Sequence, residues 1–215
     1  ARGIEVYLVD WGYPGPLERW VTLDDYIDDY LDRCIDEVRR RSGKPAVNVL
    51  GICQGGALAL THAALHPEKV KNLITMVAPA DFHVEAKPET GLLNAWIRGL
   101  DADEMVDALG NVPGDLMNFG YLMLRPFSLN LGKYLSVADI AEDETKLLNF
   151  LRMEKWIFDS PDQPGEAFRK FVRDYYQHNR LVNGGLEING REVRLKNVRQ
   201  PVLNIYAEQD HLVPP

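Results

Sequence analysis

The sequence has few cysteines, no long apolar run and no excess of positive charge. Its 215 residues include two cysteines, too few for the disulfide framework of a small secreted domain. No apolar run approaches the roughly 18 residues of a membrane-spanning helix, and no signal peptide is visible. The formal net charge of −8 argues against nucleic acid or an anionic membrane as the main partner. These absences favour a cytoplasmic protein without a membrane span.

Cofactor motifs are missing as well. We find no metal-ligand cluster, no glycine loop that would cradle a phosphate and no dinucleotide motif, so no tightly bound cofactor or metal is expected. Apolar residues make up 46% of the chain, which is enough for a sizeable core. The length fits one domain with an insertion.

The most informative motif is Gly-Ile-Cys-Gln-Gly-Gly at residues 51–56. It follows a short apolar run at 46–50 and precedes a small-residue helical segment at 57–65. A strand, a G-x-C-x-G turn and a helix form the nucleophile elbow of an α/β-hydrolase, with cysteine in place of serine. The alternative is a buried cysteine that serves only as a small apolar residue. The flanking elements favour the elbow, with Cys53 as the nucleophile.

Glycines flank the proposed nucleophile at positions 51, 55 and 56. Gly51 and Gly55, with Gly56 beside them, would let the strand and the helix pack closely around a strained turn. The N-terminus of the helix should favour the thiolate of Cys53 over the thiol. Cys34, in contrast, falls on the apolar face of a predicted helix and is expected to be a core residue.

The rest of the pattern predicts a mostly parallel α/β sheet that a large insertion interrupts. Thr22 can cap a helix that runs from about Leu23 to Arg41 and stops at Gly43. We predict strands at residues 5–9, 46–50, 70–77 and 201–207. The predicted organisation is an incomplete hydrolase core at 1–80, a mainly helical cap at 81–197 and the resumed core at 198–215.

The predicted cap contains amphipathic segments and a hairpin. Helical patterns occur around residues 92–100, 114–124, 146–158 and 166–176. Asn189-Gly190 predicts the turn of a β-hairpin within 187–195. Aromatic residues recur through the cap, and most of them are expected to be core rather than substrate wall.

An acid and a histidine must complete the site, in the chain order nucleophile, acid, histidine. Asp210 follows the late strand at 201–207 and is the candidate acid; the alternative is an exposed or turn-capping aspartate. The chain has five histidines: His62, His66, His83, His178 and His211. None is well placed as the base, and satisfied or solvated side chains are expected for all five.

Several of these segments resemble one family, the polyhydroxyalkanoate synthases, in particular the two-subunit class III enzymes. Residues 9–14 resemble the segment before that family's elbow, and residues 51–56 resemble its lipase-like box with cysteine. Residues 150–162 resemble a class III cap signature. Residues 203–207 and 210–215 resemble the strand and loop that carry the catalytic aspartate.

The resemblance implies an acyltransferase that polymerises (R)-3-hydroxyacyl-CoA. Cys53 would attack the thioester and carry the growing polyester chain, and the backbone N–H of Gln54 would donate to the oxyanion. The family's aspartate, matched by Asp210, would help to deprotonate the 3-hydroxyl group, directly or through histidine. Coenzyme A would then be part of the substrate and not a cofactor.

The resemblance also implies partners and a location. A second synthase subunit, homodimerisation and association with polyester granules are expected on that basis alone. The sequence opens without methionine on a predicted strand and ends soon after another, which favours an internal piece of a longer protein. The catalytic histidine would lie beyond Pro215, and these residues alone would be inactive.

Two other functions stay open. A cysteine-dependent hydrolase of the same fold, similar to dienelactone hydrolases, or a thioesterase would transfer the acyl group to water. A granule-binding or subunit-binding protein could keep the fold without the chemistry. The presence of Cys53 and Asp210 argues against that last possibility.

Overall fold

Three parallel strands form the sheet that carries the elbow in the computed structural model. They are β1 (Val47–Ile52), β2 (Val70–Met76) and β5 (Val202–Ile205), in the order β1-β2-β5. In register, Val49 lies opposite Leu73, and Leu73 lies opposite Val202. The structure describes residues 3–84, 92–124, 127–208, 210 and 212–213.

Helices make up most of the chain outside the sheet. Those with regular α geometry are α1 (Asp32–Ser42), α2 (Gln54–Leu65), α3 (Leu92–Arg98), α4 (Ala102–Leu109), α5 (Gly114–Met123), α6 (Lys133–Leu135), α7 (Val137–Ile140), α8 (Glu144–Ile157), α9 (Gly165–Phe171) and α10 (Arg180–Asn183). Turns of π-helix occur at Asp25–Leu31, Phe127–Gly132 and Val172–Gln177, and 3₁₀ turns at Pro16–Trp20, Pro67–Lys69 and Leu195–Asn197.

Local signals in the sequence set several of these boundaries. The Thr22 hydroxyl accepts from the Asp25 N–H at 3.1 Å, and the Asp25 carboxylate accepts from the Thr22 N–H at 2.7 Å, so the two residues form a cap. The helix that follows ends at Gly43, which has a left-handed φ of 64°. Cys34 on this helix is only partly buried, less than its apolar spacing predicted.

The predicted helical patterns of the cap are present as helices, and α4, α6, α7 and α10 were not predicted. Helix α4 begins after Asp101, whose carboxylate accepts from the Glu104 N–H at 2.9 Å. The predicted hairpin is present as β3 (Glu187–Ile188) and β4 (Arg191–Glu192), and its turn residues Asn189 and Gly190 both have positive φ.

The prediction of a strand at residues 5–9 is wrong. These residues form no regular element, and Val6 and Leu8 are largely exposed. A β-strand needs a neighbour to take up its backbone hydrogen bonds. Within the described residues no strand lies beside this segment to do so.

One hydrophobic core joins helix α2 to residues 81–197, the segment predicted as the cap. Ala57 and Leu58 of α2 belong to the same buried cluster as Phe82, Phe171 and Tyr175. The Tyr175 hydroxyl lies 2.7 Å from the Thr61 hydroxyl. The Thr61 hydroxyl also donates to the Ala57 carbonyl at 2.8 Å. The cap is therefore tied by apolar and polar contacts to the helix that follows Cys53.

Candidate active site

Cys53 lies on a strained turn between β1 and α2. Its φ of 51° and ψ of −125° lie in a region that non-glycine residues rarely adopt, at a cost of about 1–3 kcal/mol. The Cys53 N–H donates to the Met76 carbonyl at 2.9 Å, and the Gly56 N–H donates to the Cys53 carbonyl at 2.9 Å. These bonds hold the residue at the carboxyl edge of the sheet. The geometry matches the predicted nucleophile elbow.

The three elbow glycines have different surroundings. A Cβ on Gly51 would lie 2.4 Å from the Gly55 carbonyl oxygen, and one on Gly56 would lie 2.2 Å from the Cβ of Ala78. Both positions therefore require glycine so that strand and helix can meet. A Cβ on Gly55 would meet nothing within 4 Å. Close packing was expected for the two flanking glycines, Gly51 and Gly55; the structure shows it for Gly51 and for Gly56 but not for Gly55.

A second strained residue lies at the end of the neighbouring strand. Val77 has a φ of 43°, which is unusual for a β-branched side chain. Its N–H donates to the Ile205 carbonyl at 2.8 Å. Strain is thus concentrated where β1 and β2 end, which is the edge at which ligands bind in open α/β sheets.

The environment of Cys53 disfavours the thiolate. Although the residue as a whole is exposed, protein atoms remove water from around its thiol, and this raises the pKa of Cys53 above its ordinary value. The Gln54 N–H lowers this pKa, and the negative charge of Asp210 raises it further. The net direction is opposite to the expectation from the helix N-terminus.

Asp210 lies near enough to Cys53 for its charge to act on the thiol. It is half-buried, and its Oδ1 accepts from the N–H groups of Leu212 and Val213 at 2.8 and 3.0 Å. Asp210 therefore both lies near the candidate nucleophile and caps a turn, so the two interpretations of this residue do not exclude each other. Because Asp210 follows β5 and Cys53 follows β1, the parallel sheet brings both to the same edge.

The histidines in the described part of the chain have partners elsewhere or are exposed. His62 Nε2 lies 2.9 Å from Asp32 Oδ1, and His66 Nε2 lies 2.8 Å from Asp28 Oδ1. His83 Nε2 lies 2.8 Å from the Tyr176 carbonyl oxygen.

The two remaining histidines do not change this picture. His178 is exposed, and His211 lies outside the described residues. Where the chain is described, no hydrogen bond joins a histidine to the Cys53 thiol.

Two cap tyrosines lie near Cys53 and were not singled out by the sequence. Burial raises the pKa of Tyr121 to about 12, and the charge of Cys53 adds to the rise. Burial also raises the pKa of Tyr176, to which Tyr121 and Cys53 contribute. Nothing in the spacing of the cap aromatics separates a residue at the site from one in the core.

A family model described as the alpha/beta hydrolase fold matches residues 1–215. The chain therefore belongs to the α/β-hydrolase fold family, which confirms the predicted fold class. No helix in the described residues has the length and apolarity to cross a membrane.

The chain is similar along its whole length to proteins named poly(3-hydroxyalkanoate) polymerase subunit PhaC. It is 56% identical to that of Allochromatium vinosum over 215 residues, all of this chain and 59% of the relative. It is 53% identical to that of Synechocystis sp., over 99% of this chain and 57% of the relative. It is 41% identical to that of Haloarcula marismortui, over 99% of this chain and 44% of the relative.

These similarities confirm the resemblance to polyhydroxyalkanoate synthases that the motifs indicated. The chain spans about three-fifths or less of the length of these relatives.

Proposed function

We propose that the protein containing these residues is an acyltransferase that polymerises (R)-3-hydroxyacyl-CoA, with Cys53 as nucleophile. The observation that carries the proposal is the strained φ of 51° at Cys53 between β1 and α2, in a chain similar throughout to polyester polymerase subunits. A cysteine at an elbow suits transfer between thioesters, because thioester-to-thiol exchange is nearly isoenergetic.

In the proposed step, the Cys53 thiolate attacks the thioester carbonyl carbon. A bond forms from that carbon to Cys53 Sγ, and the bond to the sulfur of coenzyme A breaks. Coenzyme A leaves as a thiolate and takes up the proton that Cys53 lost. The Gln54 N–H, directly after the nucleophile, would donate to the oxyanion of the intermediate.

The 3-hydroxyl oxygen of one acyl unit would then attack the next acyl thioester, which forms the ester bond and frees a thiol. Asp210 would assist removal of the hydroxyl proton, directly or through a histidine. Because burial raises the pKa of Cys53 and no histidine bonds to its thiol in the described residues, a base from elsewhere is needed. From the motif resemblance we also propose that these 215 residues alone are inactive.

The products distinguish this function from hydrolysis. The natural full-length protein would be incubated with (R)-3-hydroxybutyryl-CoA, and coenzyme A release, polymer turbidity and free hydroxyacid would be measured. The proposal predicts release with polymer, abolished in Cys53→Ala and retained in the matched control Cys34→Ala. Coenzyme A release with free hydroxyacid alone would identify a cysteine-dependent hydrolase. No Cys53-dependent release would contradict both functions.

We further propose a second synthase subunit, homodimerisation and granule association for the full-length protein. The word subunit in the relatives' names and the motif resemblance support this. Size-exclusion chromatography with light scattering, on the protein co-expressed with its genomic neighbours, tests the assembly. A monomer that polymerises at full rate without a second chain would contradict it.

A further inference from the structure

Three segments that are far apart in sequence line one cavity beside the elbow. The cavity has a volume of about 140 Å³. Trp11 and Pro14 line it from the N-terminal segment, Gln54 and Gly55 from the first turn of α2, and Pro161 from the turn before α9. These segments include residues of the motif that precedes the elbow (9–14) and of the cap signature (150–162). The mechanism proposed above does not use this space.

The walls of the cavity are fixed by contacts of their own. The Trp11 ring meets Tyr26 edge-on, with 5.2 Å between ring centroids. On the cap side, Val112 and Gln163 exchange two backbone hydrogen bonds of 2.9 Å. The Gly114 N–H donates to Asp162 Oδ1 at 3.0 Å. The cavity is therefore largely preformed, as ligand sites usually are.

Gly55 keeps one wall of this cavity open. Its φ is not in the positive range, and a Cβ there would meet nothing within 4 Å. Neither backbone conformation nor close packing therefore requires a glycine at this position. A methyl group would instead project into free space beside Gln54, the residue whose N–H is the proposed oxyanion donor. The missing side chain leaves room for a ligand.

We propose that this cavity binds the alkyl part of the acyl group carried by Cys53. The absence of a side chain at Gly55 would then set how long an acyl chain the cavity can accept. The inference rests on the proposed function. A dry cavity of about 150 Å³ holds a molecule of roughly six heavy atoms, so this one has room for a single short hydroxyacyl unit.

The chemistry of the lining favours the acyl chain over the nucleotide part of coenzyme A. Trp11, Leu58 and Pro161 offer apolar contacts that suit alkyl carbon. Among the described residues that line the cavity, Asp162 is acidic and none is lysine or arginine. The phosphates of coenzyme A would find no positive charge there.

Two substitutions add atoms at residues that line the cavity. Gly55→Ala adds a methyl group from α2, and Ala167→Val adds two carbons from α9. Gly99→Ala is the matched control, because its Cβ would lie 3.5 Å from the nearest atom, the Trp96 carbonyl oxygen, away from the cavity. The natural full-length protein would be assayed with four-carbon and five-carbon (R)-3-hydroxyacyl-CoA, and coenzyme A release would give kcat/KM for each.

We expect the ratio of kcat/KM for the four-carbon over the five-carbon substrate to rise about tenfold in each filled variant, the usual effect of one methylene in a pocket. Gly99→Ala should keep the ratio of the unsubstituted protein. If either Gly55→Ala or Ala167→Val keeps the kcat/KM ratio of the unsubstituted protein, the inference is overturned. If Gly55→Ala is inactive, the result for Ala167→Val decides alone. Failure of the unsubstituted protein to release coenzyme A would instead refute the proposed function.

Discussion

A Cβ on Gly56 would lie 2.2 Å from the Cβ of Ala78. The first turn of α2 thus rests directly on the chain that leaves β2, and this contact fixes the start of the helix that follows Cys53. Gly55, one residue earlier, has no such neighbour. The two glycines therefore offer a matched pair for testing how the elbow is built.

Gly56→Ala should destabilise the protein, because backbone and side chain must move apart to admit the methyl group. Overpacking of this kind costs about 1–3 kcal/mol. Gly55→Ala should be neutral or stabilising by up to about 1 kcal/mol, since alanine favours the helix and meets no atom. Urea denaturation midpoints of both variants test this, and equal midpoints would show that the contact does not constrain the elbow.

The hydroxyl pair of Thr61 and Tyr175 should contribute measurably to the attachment of the cap. Tyr175 is fully buried, and its hydroxyl lies 2.7 Å from the Thr61 hydroxyl. Tyr175→Phe removes this bond and leaves a buried polar group with one partner fewer, at an expected cost of about 1–2 kcal/mol in unfolding free energy.

A double-variant cycle separates this bond from other effects of the substitutions. Thr61→Val alone and the combination with Tyr175→Phe complete the cycle, measured by urea denaturation. We expect the double variant to be less destabilised than the sum of the single variants. Strict additivity would mean that the two hydroxyl groups do not interact.

Stability should fall in mild acid because of His62. Burial lowers the pKa of His62, and the Asp32 hydrogen bond only partly opposes this; His66 and Lys69 also face the ring and lower it further. The unfolded chain binds the proton more readily, so stability is complete above about pH 6.5 and decreases below it. His62→Gln should flatten the dependence between pH 7 and pH 5, measured as urea midpoints. An unchanged slope would contradict this assignment.

A second loss of stability should follow at lower pH. Burial raises the pKa of Asp32, but bonds from Lys69 and His62 outweigh it and the net pKa is lowered. Such a carboxylate stabilises the fold above its unfolded pKa of about 3.9, and this contribution is lost as the pH falls through the folded value. Asp32→Asn should remove this loss. A steep decline below pH 4 that persists in the variant would assign it to other carboxylates.

The thiol of Cys53 should react slowly at neutral pH in these 215 residues. Because loss of water and the Asp210 charge raise the pKa of Cys53, its alkylation rate should rise only above about pH 8.5. Asp210→Asn should move this midpoint to lower pH and keep an oxygen for the Leu212 and Val213 N–H groups. A Cys34→Ser background leaves Cys53 as the one thiol.

The control for this experiment is Asp139→Asn, which removes one exposed charge elsewhere. It should leave the alkylation midpoint of Cys53 unchanged. If Asp210→Asn and Asp139→Asn behave alike, Asp210 does not act on the thiol.

The elbow and the parallel sheet could be predicted because their signals are local. Glycine spacing, an apolar run and a small-residue helix surround Cys53, and Thr22, Gly43 and Asn189 mark element ends by short-range chemistry. Asp210 could be proposed because parallel strands bring their carboxyl ends to one edge.

What could not be predicted depends on contacts between distant segments. The approach of Tyr121 and Tyr176 to Cys53 is set by how the cap packs, which aromatic spacing does not reveal. The raised pKa of Cys53 reflects neighbours from several elements. The prediction of a strand at residues 5–9 was wrong for a similar reason. An apolar pattern in the sequence does not show whether a neighbouring strand is present to take up the backbone hydrogen bonds.

The most direct test of the account is to incubate the natural full-length protein with (R)-3-hydroxybutyryl-CoA and to measure the mass of the peptide that contains Cys53. The reaction would be quenched in acid, and the digest compared with that of Cys53→Ala. We predict a hydroxybutyryl adduct on Cys53, extended by further units at longer times. An adduct on another residue, or coenzyme A release without any acylated Cys53, would contradict the role of Cys53 as the nucleophile.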